Sequence, residues 1–329
     1  MRPEKFPTVT MMKTVEIARG RSVLVLAGPT ASGKTDLSVA LAERIGAEIV
    51  SADSRQVYRR LDAGTAKPSA AQRARVPHWL LDCADPAEAF DAARWANEAS
   101  AAIADIKARG KIPLVCGGTG LYLRALLEGL SPLPPRDETV RARLHAEAEK
   151  HGREALHARL TEADPEAAAG IPPANLQRVV RALEVFELTG KPISRHWREG
   201  RGGGMAPALA LRLELTPELS RERIEARAKA MWPNLLAEVK ALVPNEYIGT
   251  EPGFTSLGYR EALACSRGEL TQEAGLAEMI RATVAYAKRQ RTWFRNQLDA
   301  RALDASAGPD ELLARAVRLW EEALEKTAA

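Results

Sequence analysis

Residues 21–35, RSVLVLAGPTASGKT, run from a short apolar, β-prone stretch into a glycine-bounded turn that ends in Gly33-Lys34-Thr35. No other segment restricts the fold of this chain so tightly. Gly28-Pro29-Thr30-Ala31-Ser32-Gly33-Lys34-Thr35 fits G-x-x-x-x-G-K-[ST], a loop whose backbone amides wrap a phosphate. The amides and the N-terminus of the following helix converge on one point, so an anion there gains hydrogen bonds and a favourable dipole. Lys34 adds a full positive charge, and the Thr35 hydroxyl can ligate Mg²⁺. The preceding run reads as a buried parallel strand. A helix is expected from Gly33 to about Arg44, stopping at Gly46.

The segments downstream repeat this alternation. AEIVSADS (47–54) reads as a second strand ending at Asp53, and a long helix from about Ala92 to Arg109 stops at Gly110. KIPLVCGGTG (111–120) supplies a further strand with a glycine-rich exit, and APALALRLEL (206–215) another. Strands alternating with helices imply an α/β fold with a parallel sheet wound by right-handed crossovers. Ligands in such sheets bind beyond the carboxyl ends of the strands, where loop 28–35, Asp53 and Thr119 all fall. Three prolines in LEGLSPLPPRDE (127–138) mark a boundary. From there to GRGGG (200–204) only helical patterning is evident. Asn175 is the expected N-cap and Gly190 the terminator of its clearest helix. The expected organisation is an extension over 1–21, a core of 22–130 and 203–329, and a small all-helical insertion over 131–202. After residue 215 the chain reads as mostly helical.

Composition narrows the class. With 46% hydrophobic and 27% charged residues among 329, the chain has the makeup of a soluble enzyme. No apolar run approaches the roughly 18 residues of a membrane helix, and residues 1–21 lack the apolar centre of a secretory signal. They are expected to form a poorly ordered extension, with Met11 or Met12 as alternative starts. The cysteines, Cys83, Cys116 and Cys265, are far apart and suit a reducing cytosol better than a disulfide framework. His145, His151 and His157 recur every six residues, which spreads them around a helix as solvated positions. A net charge of +4 argues for a polyanion partner only if the charge clusters locally.

The usual guest of such a loop is ATP or GTP, but a conventional NTPase also needs a second strand that delivers an acid to the metal. The strand 111–120 ends in glycines, and no N-K-x-D guanine motif is present. Asp53 is the acid a strand delivers to the correct edge. It could assist a metal, as in small kinases, or act as a general base, and the loop leaves both open. Two segments are locally basic. SRQVYRRLDAGTAKPSAAQRAR (54–75) holds Arg55, Arg59, Arg60, Lys67, Arg73 and Arg75 against Asp62. RATVAYAKRQRTWFRNQL (281–298) holds Arg281, Lys288, Arg289, Arg291 and Arg295 with no acid. There, Lys288, Arg291 and Arg295 share a helical face beside Trp293 and Phe294, a pattern suited to phosphate contact and base stacking. An amphipathic helix with a core tryptophan and solvated arginines reads equally well.

Seven motifs together carry a resemblance. GPTASGKT, SADSRQVYRRLDAGTAKP (51–68), PHWLLDCADP (77–86), GGTGLYLRALLEGL (117–130), LQRVVRALEV (176–185), SLGYREAL (256–263) and AKRQRTWFR (287–295) stand in the order seen in tRNA dimethylallyltransferases. The likeness spans about residues 25–295. It implies a P-loop NTPase-like core in which loop 28–35 holds the diphosphate of dimethylallyl diphosphate. The implied reaction moves the prenyl group to the N6 amine of the adenosine 3′ of the anticodon, in tRNAs reading codons that begin with U. Asp53 would take the N6 proton. Lys34, Mg²⁺ on Thr35 and an arginine from SRERIEARAKAM (220–231), Arg227 first and Arg223 second, would stabilise the leaving diphosphate, with Thr30 near the reacting carbon.

The family's tRNA contacts map onto Asp53, Ser54, Arg55, Gln56, Thr119 and Arg141, and onto Gln177, Arg178, Val179, Val180 and Arg181. They continue at Thr255, Ser256, Leu257, Gly258, Tyr259 and Arg260, then at Lys288, Arg289, Gln290, Arg291, Thr292, Trp293, Phe294 and Arg295. The insertion 131–202 would clamp the anticodon stem-loop. Trp232-Pro233 departs from the family pattern, and Pro233 is expected to interrupt or kink its helix. A cytoplasmic monomer is expected. The rival classes are a small-molecule kinase, which the loop and Asp53 permit, and an RNA-binding nucleotide switch built on the basic helix.

Overall fold

The computed structural model describes residues 23–200, 202–207 and 209–328; the 1–21 extension lies outside the described residues. In chain order, β1 (Leu24–Ala27) leads through the phosphate loop into α1 (Lys34–Ile45) and β2 (Ala47–Ala52). Then come α2 (Ala70–Arg75), β3 (His78–Trp79), α3 (Ala92–Ala108), β4 (Ile112–Gly117) and α4 (Gly120–Leu127). A second segment holds β5 (Gly129–Leu130), α5 (Glu138–His151), α6 (Arg153–Ala163), α7 (Pro165–Gly170), α8 (Leu176–Thr189), α9 (Ile193–Arg198) and β6 (Gly202–Gly203). The chain closes with β7 (Leu209–Glu214), α10 (Pro217–Leu242), α11 (Tyr259–Ser266), α12 (Gln272–Gln297), β8 (Arg301–Asp304) and α13 (Pro309–Ala328).

Two compact units result, one from the segments before Leu127 and after Ala206, the other from Glu128–Met205. The first is built on a six-stranded sheet of order β3-β2-β4-β1-β7-β8, parallel throughout. Both faces of a parallel sheet must be covered, which is why its strands are near-continuous apolar runs. Leu24, Leu26, Ile49, Leu114, Leu211 and Leu303 form one core with Leu37 and Leu41 of α1 and Trp320 of α13. Trp95, Ile103 and Ile106 of α3 are fully enclosed, and Trp95 stacks on Tyr122 of α4 at 4.7 Å. The edge strands β3 and β8 escape sequence reading, which expected a mostly helical tail. Both are short, and β8 is only partly buried. Among the described residues no helix is long and apolar enough to cross a membrane.

α10 is continuous through Pro233, so the expected interruption does not occur. Proline removes one ladder hydrogen bond, but Ala228, Trp232, Leu235 and Val239 are buried on either side of it, and tertiary packing holds the helix through the defect.

The second unit packs α5, α6 and α8 around Leu144, Leu156, Leu160, Val179, Val180 and Leu183. Its ends meet in a two-residue antiparallel ladder, Gly129 opposite Gly203, where helix alone was expected. Asn175 stands at the N-terminus of α8 as expected, yet its side chain makes no capping bond. His157 is not a solvated position. Its Nε2 lies 2.7 Å from the Ile171 carbonyl and ties α6 to the end of α7.

The strand ends of β2 and β4 come unusually close together. A Cβ on Gly117 would sit 2.1 Å from the Ala52 carbonyl oxygen, so only glycine fits. Gly117→Ala should cost about 1–3 kcal/mol by overpacking, read as a lowered urea midpoint. An unchanged midpoint would contradict the register.

Candidate active site

The loop leaves β1 and enters α1 through Gly33 at φ 87°. Lys34 is half-buried, and its ammonium donates to its own loop's Pro29 carbonyl at 2.7 Å. Burial lowers its pKa to about 8, with Cys116 and Asp53 opposing and Arg227 reinforcing the shift. Arg227 reaches across from α10 and donates to Thr30 Oγ1 at 2.5 Å. Burial lowers its pKa too, against the pull of Asp53. Among the described residues neither cation has a carboxylate within ion-pair distance. Among the described residues the buried Ser32 hydroxyl has no partner, a group that normally signals a missing ligand or water. Arg223, one turn before Arg227, also lines the cavity and donates to the Ala305 carbonyl at 3.1 Å, whereas Arg227 bonds the loop itself at Thr30.

Asp53 follows β2 at the same edge. Its Oδ1 accepts the Arg55 amide at 2.8 Å, which fixes the carboxylate. Thr119 accepts the Ser54 amide at 2.9 Å, while its own amide donates to Ala52. Gln290 of α12 is an inner strut. Its Oε1 accepts the Thr30 amide at 2.8 Å and its Nε2 donates to Gly118 at 2.7 Å. The loop, the end of β4 and α12 are thereby locked together.

The loop, Asp53, Arg227 and Gln290 line one cavity of about 720 Å³. Thr30, Ala31, Ser32, Gly33, Lys34 and Thr35 form its anion side, while Gly28 and Pro29 form the buried root of the loop. Asp53, Ser54, Arg55 and Gln56 stand beside them. Ile224, Ala228 and Met231 of α10, Leu257, and Met279 of α12 give the cavity an apolar side. It is large enough for a substrate with both charged and apolar parts.

The sequence-derived RNA contacts divide by environment. Ser54, Arg55, Gln56, Ser256, Leu257, Arg289 and Gln290 line the cavity with Asp53, and Thr255 accepts from Arg55 at 3.0 Å. Arg260, Lys288 and Thr292 are exposed. Arg291 and Arg295 contact Ser220 and Glu214. In the second unit Gln177 and Arg178 are exposed. Arg141 and Arg181 converge on the enclosed carboxylate of Glu184, at 3.3 and 2.8 Å. Burial alone would raise the Glu184 pKa, but Arg181, the Asp137 amide and Arg141 bring it below the usual range.

Burial corrects several of these assignments. Val179, Val180 and Phe294 are at most 1% exposed and serve packing, and Gly258 is enclosed too. Gln290 is buried and bonded at both ends as the strut, and Trp293 packs edge-on to Phe294. Tyr259 is fully buried. Its hydroxyl donates to Glu238 at 2.5 Å and accepts the Gly64 amide at 3.2 Å. A Cβ on Gly64 would strike that ring at 2.2 Å, so the GTAKP and GYR motifs belong together because one packs on the other.

The first basic segment is also corrected. Arg59 pairs with Asp85 and Glu88, Arg60 with Glu246, Lys67 with Asp62 and Asp82, Arg73 with Asp82, and Arg75 with Glu43. Most of its acids are remote in sequence, so counting charge within the segment missed them.

A phosphate loop at the end of an interior strand of a parallel sheet, with helices packed around it, defines a P-loop NTPase-like α/β protein. The family model described as IPP transferase matches residues 56–297, and the chain belongs to that family. The tRNA dimethylallyltransferase of Halorhodospira halophila is 49% identical over 84% of this chain and 91% of its own length. That of a Roseiflexus species is 46% identical over 92% and 99%. Among solved structures, the tRNA isopentenylpyrophosphate transferase of Bacillus halodurans superposes with TM-score 0.68, 35% identity, and coverage of 94% and 98%. A eukaryotic dimethylallyltransferase described as acting on tRNA gives 0.71 at 28% identity, over 87% and 74%.

The Lys34 shift has a measurable sign. An anion binds the protonated lysine, and the free chain loses that proton as pH rises through about 8. Affinity for an unreactive alkyl diphosphate, whose own charge is fixed above neutrality, should hold below that pH. Above it, affinity should fall, approaching about tenfold per pH unit. Lys34→Arg should remove the break. A level titration of the unaltered chain would contradict the enclosed ammonium.

Proposed function

We propose that this chain transfers the dimethylallyl group of dimethylallyl diphosphate to the N6 amine of the adenosine 3′-adjacent to the anticodon, in tRNAs reading codons that begin with U. One observation carries the reading: a cation-rich phosphate loop and a single strand-end carboxylate open into the same cavity, which also has an apolar wall. The relatives' names supply the RNA substrate, and the family resemblance supplies the nucleotide.

N6 attacks C1 of the donor, a C–N bond forms, the C1–O bond breaks, and diphosphate leaves with the bonding pair. The adenine lone pair is delocalised into its ring, so the amine is a weak nucleophile until it loses a proton. Asp53, oriented by the Arg55 amide, accepts that proton, help worth roughly 10²–10⁴ in rate. Charge grows on the bridging oxygen, where Lys34, Arg227 and the loop amides stabilise it. Thr30, held by Arg227 and Gln290, stands at the point where phosphate meets carbon.

Among the described residues no three His, Cys, Asp or Glu side chains converge as a metal cage. Mg²⁺ would therefore be held by Thr35 and the donor's own phosphates, the mode this ion favours, and would supply charge neutralisation. Residues 131–202, with exposed Gln177 and Arg178, are assigned to the anticodon stem-loop.

The test is incubation with dimethylallyl diphosphate, Mg²⁺ and unmodified tRNA, followed by mass analysis of the nucleosides. One prenylated adenosine per tRNA is expected, and ATP-dependent phosphoryl transfer without prenylation would overturn the reading. Asp53→Ala should lower single-turnover transfer by roughly 10²–10⁴ while leaving tRNA affinity near that of the unaltered chain. Turnover within a few-fold would remove Asp53 from the base role. Arg227→Ala should slow transfer by roughly 10²–10³, and an unchanged rate would place the leaving group elsewhere.

A further inference from the structure

The apolar side of the cavity has a definite length, and length is what separates one prenyl donor from the next. Arg227 and Gln290 both reach the loop at Thr30, at 2.5 and 2.8 Å. Further along the same helices, Leu235 and Met279 both crowd Gly258, where an added Cβ would meet them at 2.8 and 3.1 Å. α10 and α12 therefore run antiparallel away from the phosphate end and close together at Leu235 and Met279. Eight residues of α10 and eleven of α12 separate the two ends, about 12 and 16 Å along the axes.

A five-carbon tail, four bonds long, spans about one helical turn. It would end level with Met231, one turn beyond Arg227. A second isoprene unit needs a further turn, toward the part-exposed Met231 and the buried Met279, which both line the cavity. Ala228, 2% exposed, contributes only a methyl group and leaves room for the first unit.

We propose that Met231 and Met279 limit the donor to one isoprene unit, Met231 as the stop at the end of the five-carbon tail and Met279 as the floor behind it. This rests on the prenyl-transfer reading above. Both side chains are unbranched and deformable, so trimming them opens the second-unit space with little disturbance of the helices.

The experiment is competition between dimethylallyl and geranyl diphosphates for unmodified tRNA, scored by the mass of the product nucleoside. The unaltered chain should strongly prefer the five-carbon donor. Met231→Ala should raise the geranyl-to-dimethylallyl ratio of kcat/KM by at least about tenfold, and adding Met279→Val should raise it further. Ala228→Leu should act oppositely, raising KM for the five-carbon donor. Thermal midpoints and tRNA affinity are measured alongside, and Met231, being part-exposed, carries the test if Met279→Val folds poorly. A ratio unmoved within about twofold in folded Met231→Ala, or an unaltered chain that uses both donors equally, would overturn the inference. Failure of the unaltered chain to prenylate tRNA would instead overturn the underlying reading.

Discussion

Two enclosed cations face each other across the loop with too little negative charge between them. Lys34 donates to a carbonyl and Arg227 to a hydroxyl, while Asp53 opposes both from the end of β2. Desolvated charge is costly unless paired, and burial lowers both pKa values. On the proposed reading, a diphosphate entering between them would supply the missing partner and gain the loop amides as well. The sheet order serves this meeting point. β1 lies between β4 and β7, so the loop after β1 is flanked by the ends of β2 and β4 on one side and by α10 and α12 above.

The supporting contacts come from positions with no obvious chemistry in sequence. Gln290 fastens the loop to β4 and α12 through two buried hydrogen bonds. Gly117 lets β4 close against Ala52, and Tyr259 seats the turn at Gly64. A transfer reaction that depends on placing an amine, a carbon and a leaving oxygen in line, with a carboxylate beside the amine, gains from such rigidity.

Much of this was legible from sequence because its signals are local. The strand–loop–helix pattern at 24–45, the stops at Gly46 and Gly110, and Asp53 at a strand edge each depend on neighbours within a few residues. What was missed is non-local. The acids that neutralise Arg60, Arg73 and Arg75 are Glu246, Asp82 and Glu43, and no window around residues 54–75 contains them all. β8 is a four-residue edge strand defined by its pairing with β7. Pro233 breaks the local rule against proline in helix interiors, and the packing on both sides of it overrides that rule. Val179, Val180 and Phe294 travel in motifs with exposed cations, and only the fold shows them turned inward. Sequence spacing likewise does not separate Arg223 from Arg227; in the fold both line the cavity, and Arg227 is the one that bonds Thr30 while Arg223 bonds the Ala305 carbonyl.

The central claim is that loop 28–35 grips a leaving group whose carbon end is turned toward Asp53. A crystal structure with tRNA and the unreactive S-dimethylallyl thiodiphosphate tests it most directly. Both phosphates should lie on the loop amides with Lys34 and Arg227 against them, and C1 should sit between the sulfur and an adenine amine within hydrogen-bond reach of Asp53. Phosphates bound away from the loop, or an amine facing a group other than Asp53, would contradict it.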